Sequence, residues 1–112
     1  MEAMSGGPGK WSPAVATRNI NACAKRADVQ ISLKLHARQQ MQDRDLIMGD
    51  LLHLLKQGFV YDEPVPATRE GYFRYAVEST TPNSDGRAVR AITISNGDRE
   101  LKIVTVMWRD ER

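Results

Sequence analysis

In the stretch LKLHARQQMQDRDL, residues 33 to 46, His36, Gln40 and Arg44 recur four residues apart. On a helix that spacing holds all three within about 80° of arc. A histidine can take or give a proton near neutral pH, and an arginine can clamp a phosphate through its planar fork. Arg38, Arg44, Arg74, Arg90 and Lys102 are candidate phosphate ligands, and Tyr72, Tyr75 and Trp108 are candidate surfaces for stacking a base. The same residues have plainer readings. Any solvated helix face shows the His36, Gln40, Arg44 spacing, and Arg44 near a helix end can bind the last carbonyls. Arg74 and Arg90 can pair with Glu78 or Glu100 across a sheet, a contact worth roughly 0.2 to 1 kcal/mol. Tyr75 and Trp108 suit a core that has only seven aromatics to draw on. His53 lies among leucines, and Cys23 has no evident activating neighbour.

The elements that must position these groups follow from the patterning. Ser12-Pro13 starts a helix that can run to about Ala27. VQISL, residues 29 to 33, is β-prone, and a helix is expected from about Ser32 to Asp43. Ile47, Leu51, Leu54 and Leu55 mark a core helix, with Gly58 placed for a left-handed cap. From Phe59 the period becomes two. FVYDEPVPAT is an edge strand interrupted by Pro64 and Pro66. Strands follow over residues 72 to 80, 88 to 96 and 100 to 108, the last two joined by an Asn96-Gly97 hairpin turn. Glu100, Lys102, Val104, Val106 and Trp108 form one alternating series, polar at one end and apolar at the other. The expected fold is α+β, with N-terminal helices on one face of a curved four-stranded antiparallel sheet and the other face left free.

At 112 residues the chain fits one domain, expected over 13–112 behind a flexible Gly- and Ser-rich tail at 1–12. No apolar run is long enough to cross a bilayer and the start does not read as a secretory signal, so a soluble cytoplasmic protein without membrane association is expected. One cysteine excludes an internal disulfide and a Cys-cluster metal site. No phosphate-cradling Gly loop, HExxH or nucleophile elbow occurs, and no cofactor or metal is expected. The net charge of +2 permits nucleic-acid binding without requiring it. Its distribution is uneven. Residues 1 to 58 hold eight Lys and Arg against five acids, and residues 59 to 112 hold eight against nine, with Arg74, Arg87, Arg90 and Lys102 in or beside strands.

The pattern HAxxxMxxRxxI, here His36-Ala37, Met41, Arg44 and Ile47, is followed by LLHLLKQGFVYDEP, a Tyr-rich strand and a strand ending IVTVMW. Over about residues 30 to 108 this resembles the bacterial family called domain of unknown function 4258. Family members often carry Arg in place of Gln40 and Gly in place of Asp45. The family's order of helices followed by an antiparallel sheet is similar to that of RelE-like and BrnT-like toxins, which cut or bind messenger RNA and are neutralised by an antitoxin. The resemblance implies a toxin-like RNA-binding protein, with metal-independent endoribonuclease activity as its enzymatic form. Such cleavage needs a base for the ribose 2′-hydroxyl, an acid for the leaving oxygen and cations for the phosphate. His36, Arg44 and Arg74 would be the catalytic set, with Arg38, Arg90, Lys102 and Tyr72 holding the RNA. RNA and an antitoxin protein are the implied partners. The alternative is a non-enzymatic interaction module, a homodimer or a docking partner that uses the sheet edge at residues 59 to 68 or the first helix.

Overall fold

The computed structural model describes residues 7–97 and 99–111. Ser12 caps α1 (Pro13–Ala24), its Oγ accepting the Val15 N–H, while Pro13 fills the first turn, where no amide donor is needed. The helix stops at Ala24, short of Ala27, where Lys25 caps it with its N–H donating to Asn21 O and Ala22 O, and Arg26 and Asp28 pair in the turn that follows. Then come β1 (Gln30–Leu33), α2 (Leu35–Asp43) and α3 (Met48–Gln57). The second helix begins at Leu35 and not Ser32, since Ser32 and Leu33 are engaged in a strand. Strands β2 (Phe59–Val60), β3 (Val65–Pro66), β4 (Phe73–Ser79), β5 (Val89–Ser95) and β6 (Glu100–Trp108) complete the chain.

The α+β class holds, but the four-stranded antiparallel sheet does not. The sheet has six strands and is mixed, in the order β1-β6-β5-β4-β2, with β3 also paired to β4. Gln30 to Leu33 pairs in parallel with Glu100 to Ile103, a contact between chain ends that no local turn announces. On the far side the Pro-interrupted segment makes two short strands in place of one. The Asn96 turn closes as expected, its N–H donating to Glu100 O with Gly97 at φ 114°; Asp98 lies outside the described residues.

All three helices pack on one sheet face. Ile20, Leu54 and Leu55 meet Tyr75, Val77, Leu101 and Ile103 in a closed core. A bulge between Ile92 and Thr93 leaves Val104 as the extra residue of β6. The single series from Glu100 to Trp108 is therefore divided. Leu101 and Ile103 face the core before the bulge, and Val106 faces it after, with Trp108 packed beside it. Lys102 and Val104 are left on the open face, together with Arg74, Ala76, Ile92 and Ile94.

Two further differences have local causes. Gly58 does not adopt a left-handed cap, its φ being −77°. Residues 9 to 11, assigned by composition to the tail, are bound: Gly9 donates to Gly71 O and the Trp11 N–H to the Tyr75 hydroxyl, each at 2.9 Å. The Trp11 ring stacks on Tyr75, and that single large apolar side chain outweighs the surrounding Gly and Ser. Of the rest of the expected tail, residues 1 to 6 lie outside the described residues. Asp45 has φ 56°, the left-handed region in which glycine is free of strain, so Gly and Asp are natural alternatives there.

Candidate nucleic-acid interface

The open sheet face is not flat. The loop after β3 curls over its end, and the residue that caps α2 approaches from the opposite side, enclosing a groove of about 300 Å³. Its floor is Arg74, Ile94, Lys102 and Val104, and its walls include Lys34, Ala67, Thr68, Arg69, Tyr72, Asn96 and Glu100. Four cations thus face one carboxylate. Arg74 stands opposite Val65 on one side and Ile94 on the other, so no acidic side chain is directly across from it. Its Nε is buried and has no hydrogen-bond partner among the described residues. An unpaired buried donor costs roughly 1 to 3 kcal/mol, more when charged, unless a ligand or water satisfies it.

Tyr72 is held at the rim. The Arg69 guanidinium lies 4.7 Å from its ring centre, and Gly7 approaches the same ring so closely that a β-carbon there would sit 2.6 Å from Cε1. Of groups able to move a proton, Tyr72, Glu100, Lys34 and Lys102 line the groove, and neither histidine does. No group of three or more His, Cys, Asp and Glu among the described residues is placed to hold a metal.

The residues singled out in the sequence do not all meet. Tyr72, Arg74 and Lys102 line the groove together. Arg90 lies on the same face, farther along β5, with Nε and Nη2 each 2.9 Å from Glu78 Oε2, which is the pairing expected of its plainer reading. His36 and Arg38 are exposed on α2 and are not among the groove-lining residues. Arg44 is committed elsewhere: its Nε and Nη2 hold Glu111 at 2.8 and 2.6 Å, and its Nη1 binds Gln40 O. Gln40 in turn accepts the Val106 N–H at 2.9 Å, covering the part of β6 that β1 is too short to reach. Of the aligned trio, Gln40 and Arg44 therefore hold structure, and the three proposed catalytic side chains do not share a pocket.

Lys34, Arg69 and Arg109 were not singled out from the sequence. Lys34 and Arg69 lie in connections whose direction no periodicity encodes. Arg109, just past β6, lies 2.8 Å through Nε from Glu78 Oε1.

The Arg44 to Glu111 pair gives an acid-stability prediction. The Arg44 guanidinium, followed by the Trp108 N–H, holds the Glu111 carboxyl down to about 2 from an ordinary 4.5. Because the folded value lies below the unfolded one, the stabilisation is fully present above about pH 4.5 and is lost as pH falls toward 2. Glu111→Gln is expected to lower the urea midpoint at pH 7 and to shrink the difference between midpoints at pH 7 and pH 3. An unchanged difference would show that the pair is not responsible.

Along the outer edge of the sheet Phe59, Tyr61 and Val65 are exposed, Val65 opposite Arg74 and Phe59 opposite Glu78 at the other end, with Phe59 and Tyr61 tilted against each other. No helix among the described residues is long and apolar enough to cross a membrane. Neither a curated protein nor a solved structure matches the chain. The model of the family described as Domain of unknown function (DUF4258) matches residues 33–108, which run from the end of β1 to the end of β6 and include Lys34, Arg69, Tyr72, Arg74 and Lys102 of the groove. The chain belongs to this family of domains of unknown function.

Proposed function

We propose that this is a toxin-like protein that binds single-stranded RNA in the cytoplasm through the open face of its sheet. The observation that carries the reading is Arg74: a guanidinium whose buried Nε has no partner among the described residues, in a groove where Lys34, Arg69 and Lys102 add three positive charges. A phosphate supplies the acceptor oxygens and the negative charge that such a group lacks. The volume, about 300 Å³, is at the small end of ligand sites and suits a single nucleotide unit. The ground for RNA as the polyanion is the resemblance to RelE-like and BrnT-like toxins expected from the order of elements in the sequence, and endoribonuclease activity is the finer form of this reading. In that form Arg74 stabilises the phosphate, while the proton-transferring group would come from the groove wall or from His36 on α2.

The test is binding of a fluorescent oligouridylate, read by anisotropy over a salt series. Affinity should fall with salt at a log–log slope of roughly −0.7 for each phosphate neutralised. The Arg74→Ala, Lys102→Ala double variant should bind about tenfold more weakly, with a slope shallower by about 0.7. Wild-type binding that is absent, or unaffected by the double change, sinks the proposal. Cleavage is tested separately by incubating the same RNA with wild type and His36→Ala. Intact RNA with the wild type removes the enzymatic form only.

The exposed Phe59, Tyr61 and Val65 favour a second reading, in which this edge docks an antitoxin or a second copy of the chain. Sedimentation as a monomer at every concentration would remove the self-association form of it.

A further inference from the structure

A second cation group lies on the open face, at the end of β4 and β5 away from the groove. Glu78 stands directly opposite Arg90, and its side chain is only 4% exposed. Arg90 binds its Oε2, while Arg109 sits 2.8 Å from Oε1 without the alignment of a hydrogen bond, so that oxygen has no hydrogen-bond partner among the described residues. One buried carboxylate therefore steadies two guanidinium groups and leaves the cluster positive. Each arginine has five N–H donors, and the contacts with Glu78 use only part of them. Both arginines border shallow hollows at the protein surface, one of which also includes Arg87 and the Asp110 carboxylate that it binds.

The two cation groups have a fixed spacing. Arg74 and Glu78 are four residues apart on β4, as Ile94 and Arg90 are on β5, which is about 13 Å at the rise of a strand. Between them the face presents Ala76 and Ile92, which are paired with each other and uncharged. A ligand that satisfies both ends must repeat its negative charge over that span. At about 3.4 Å per stacked nucleotide the span corresponds to roughly four nucleotides, fewer if the strand is extended.

We infer that the open face is a two-anchor track for single-stranded nucleic acid, with one phosphate in the groove and another on the Arg90 and Arg109 pair that Glu78 positions. The inference rests on the groove reading above, but it assigns a separate site with its own residues.

Anisotropy with labelled oligouridylates of two and eight nucleotides tests it. Wild type should bind the octamer at least tenfold more tightly than the dinucleotide. Arg90→Gln with Arg109→Gln should weaken the octamer about fivefold to tenfold and make its salt slope shallower by about 0.7, leaving the dinucleotide unchanged. Removing both arginines strands the buried Glu78 carboxylate, so the single Arg109→Gln variant, at a side chain 60% exposed, guards against a folding defect and should weaken the octamer alone by a smaller factor. Equal losses on both lengths, no loss on the octamer, or a blunt duplex bound as tightly as the octamer would overturn the track. Binding that needs Lys102 but is indifferent to length overturns the track alone, whereas a wild type that binds neither oligonucleotide overturns the groove reading with it.

Discussion

Gly58→Ala is expected to destabilise the protein by about 2 to 4 kcal/mol, in the upper range of overpacking changes. The cause is space and not backbone handedness, for φ at Gly58 is −77°. A β-carbon would lie 2.5 Å from Leu54 O, 2.8 Å from Val77 Cγ1 and 3.0 Å from Glu78 O. Two of those three neighbours are backbone carbonyls, which cannot swing aside. The glycine itself is tied down, its N–H donating to Leu54 O at 2.7 Å and its carbonyl accepting from Asn21 Nδ2 at 3.2 Å. Relief would require α3 to part from β4. Urea unfolding with linear extrapolation measures the loss, and a change under about 0.5 kcal/mol would show that the junction yields easily.

Asp50→Ala should cost a similar amount, about 2 to 4 kcal/mol, by leaving buried donors unpaired. Asp50 is 2% exposed and accepts three hydrogen bonds: from the Ile47 N–H at 2.9 Å, the Asn83 N–H at 2.8 Å and Asn83 Nδ2 at 3.1 Å. One carboxylate therefore caps α3 and pins the loop between β4 and β5. Burial alone would push its carboxyl up, but the bonds from Ile47 and Asn83 outweigh it and hold the group below the usual carboxylate range. Since the folded value is the lower one, this stabilisation is present above the unfolded carboxyl's range and is lost as pH falls through the folded value. Asp50→Asn keeps one acceptor oxygen and should recover part of the loss. Thermal melts of the three proteins distinguish the outcomes, because each kcal/mol moves the midpoint of a domain this size by about 4 to 8 °C. If Asn proves as costly as Ala, the charge matters more than the acceptor geometry.

Local patterns were enough for much of this fold. Ser12-Pro13, the Leu51, Leu54, Leu55 stripe and the Asn96-Gly97 turn each act within a few residues of themselves and stand where the sequence placed them, whereas Ile47, read into the same stripe, is the exposed residue that precedes α3. What escaped was set at a distance. β1 is a four-residue run whose partner lies seventy positions along the chain. The bulge at Ile92 and Thr93 exchanges the faces of β6 without any Gly or Pro to mark it. The site divides in the same way. Arg74, Lys102 and Tyr72 were legible because strand alternation assigns them a face. Lys34 and Arg69 were not, because they reach the groove from connections. The His36, Gln40, Arg44 spacing runs along α2 to the residue that caps it, but spacing says nothing of what those side chains meet. Here Gln40 meets a strand edge and Arg44 meets Glu111.

The parallel pairing of β1 with β6 also bears on how the protein comes into being. On a ribosome, Gln30 to Leu33 has no partner until residues 100 to 103 have emerged, and α2 must likewise wait for the strand it covers. Lys34 follows β1 directly, its N–H bonded to Ile103 O, so it reaches its place only when that late pairing closes. Lys102 arrives on the last strand. The basic groove is thus completed by both ends of the chain at once, and a nascent chain carries its charges without the cleft that gathers them.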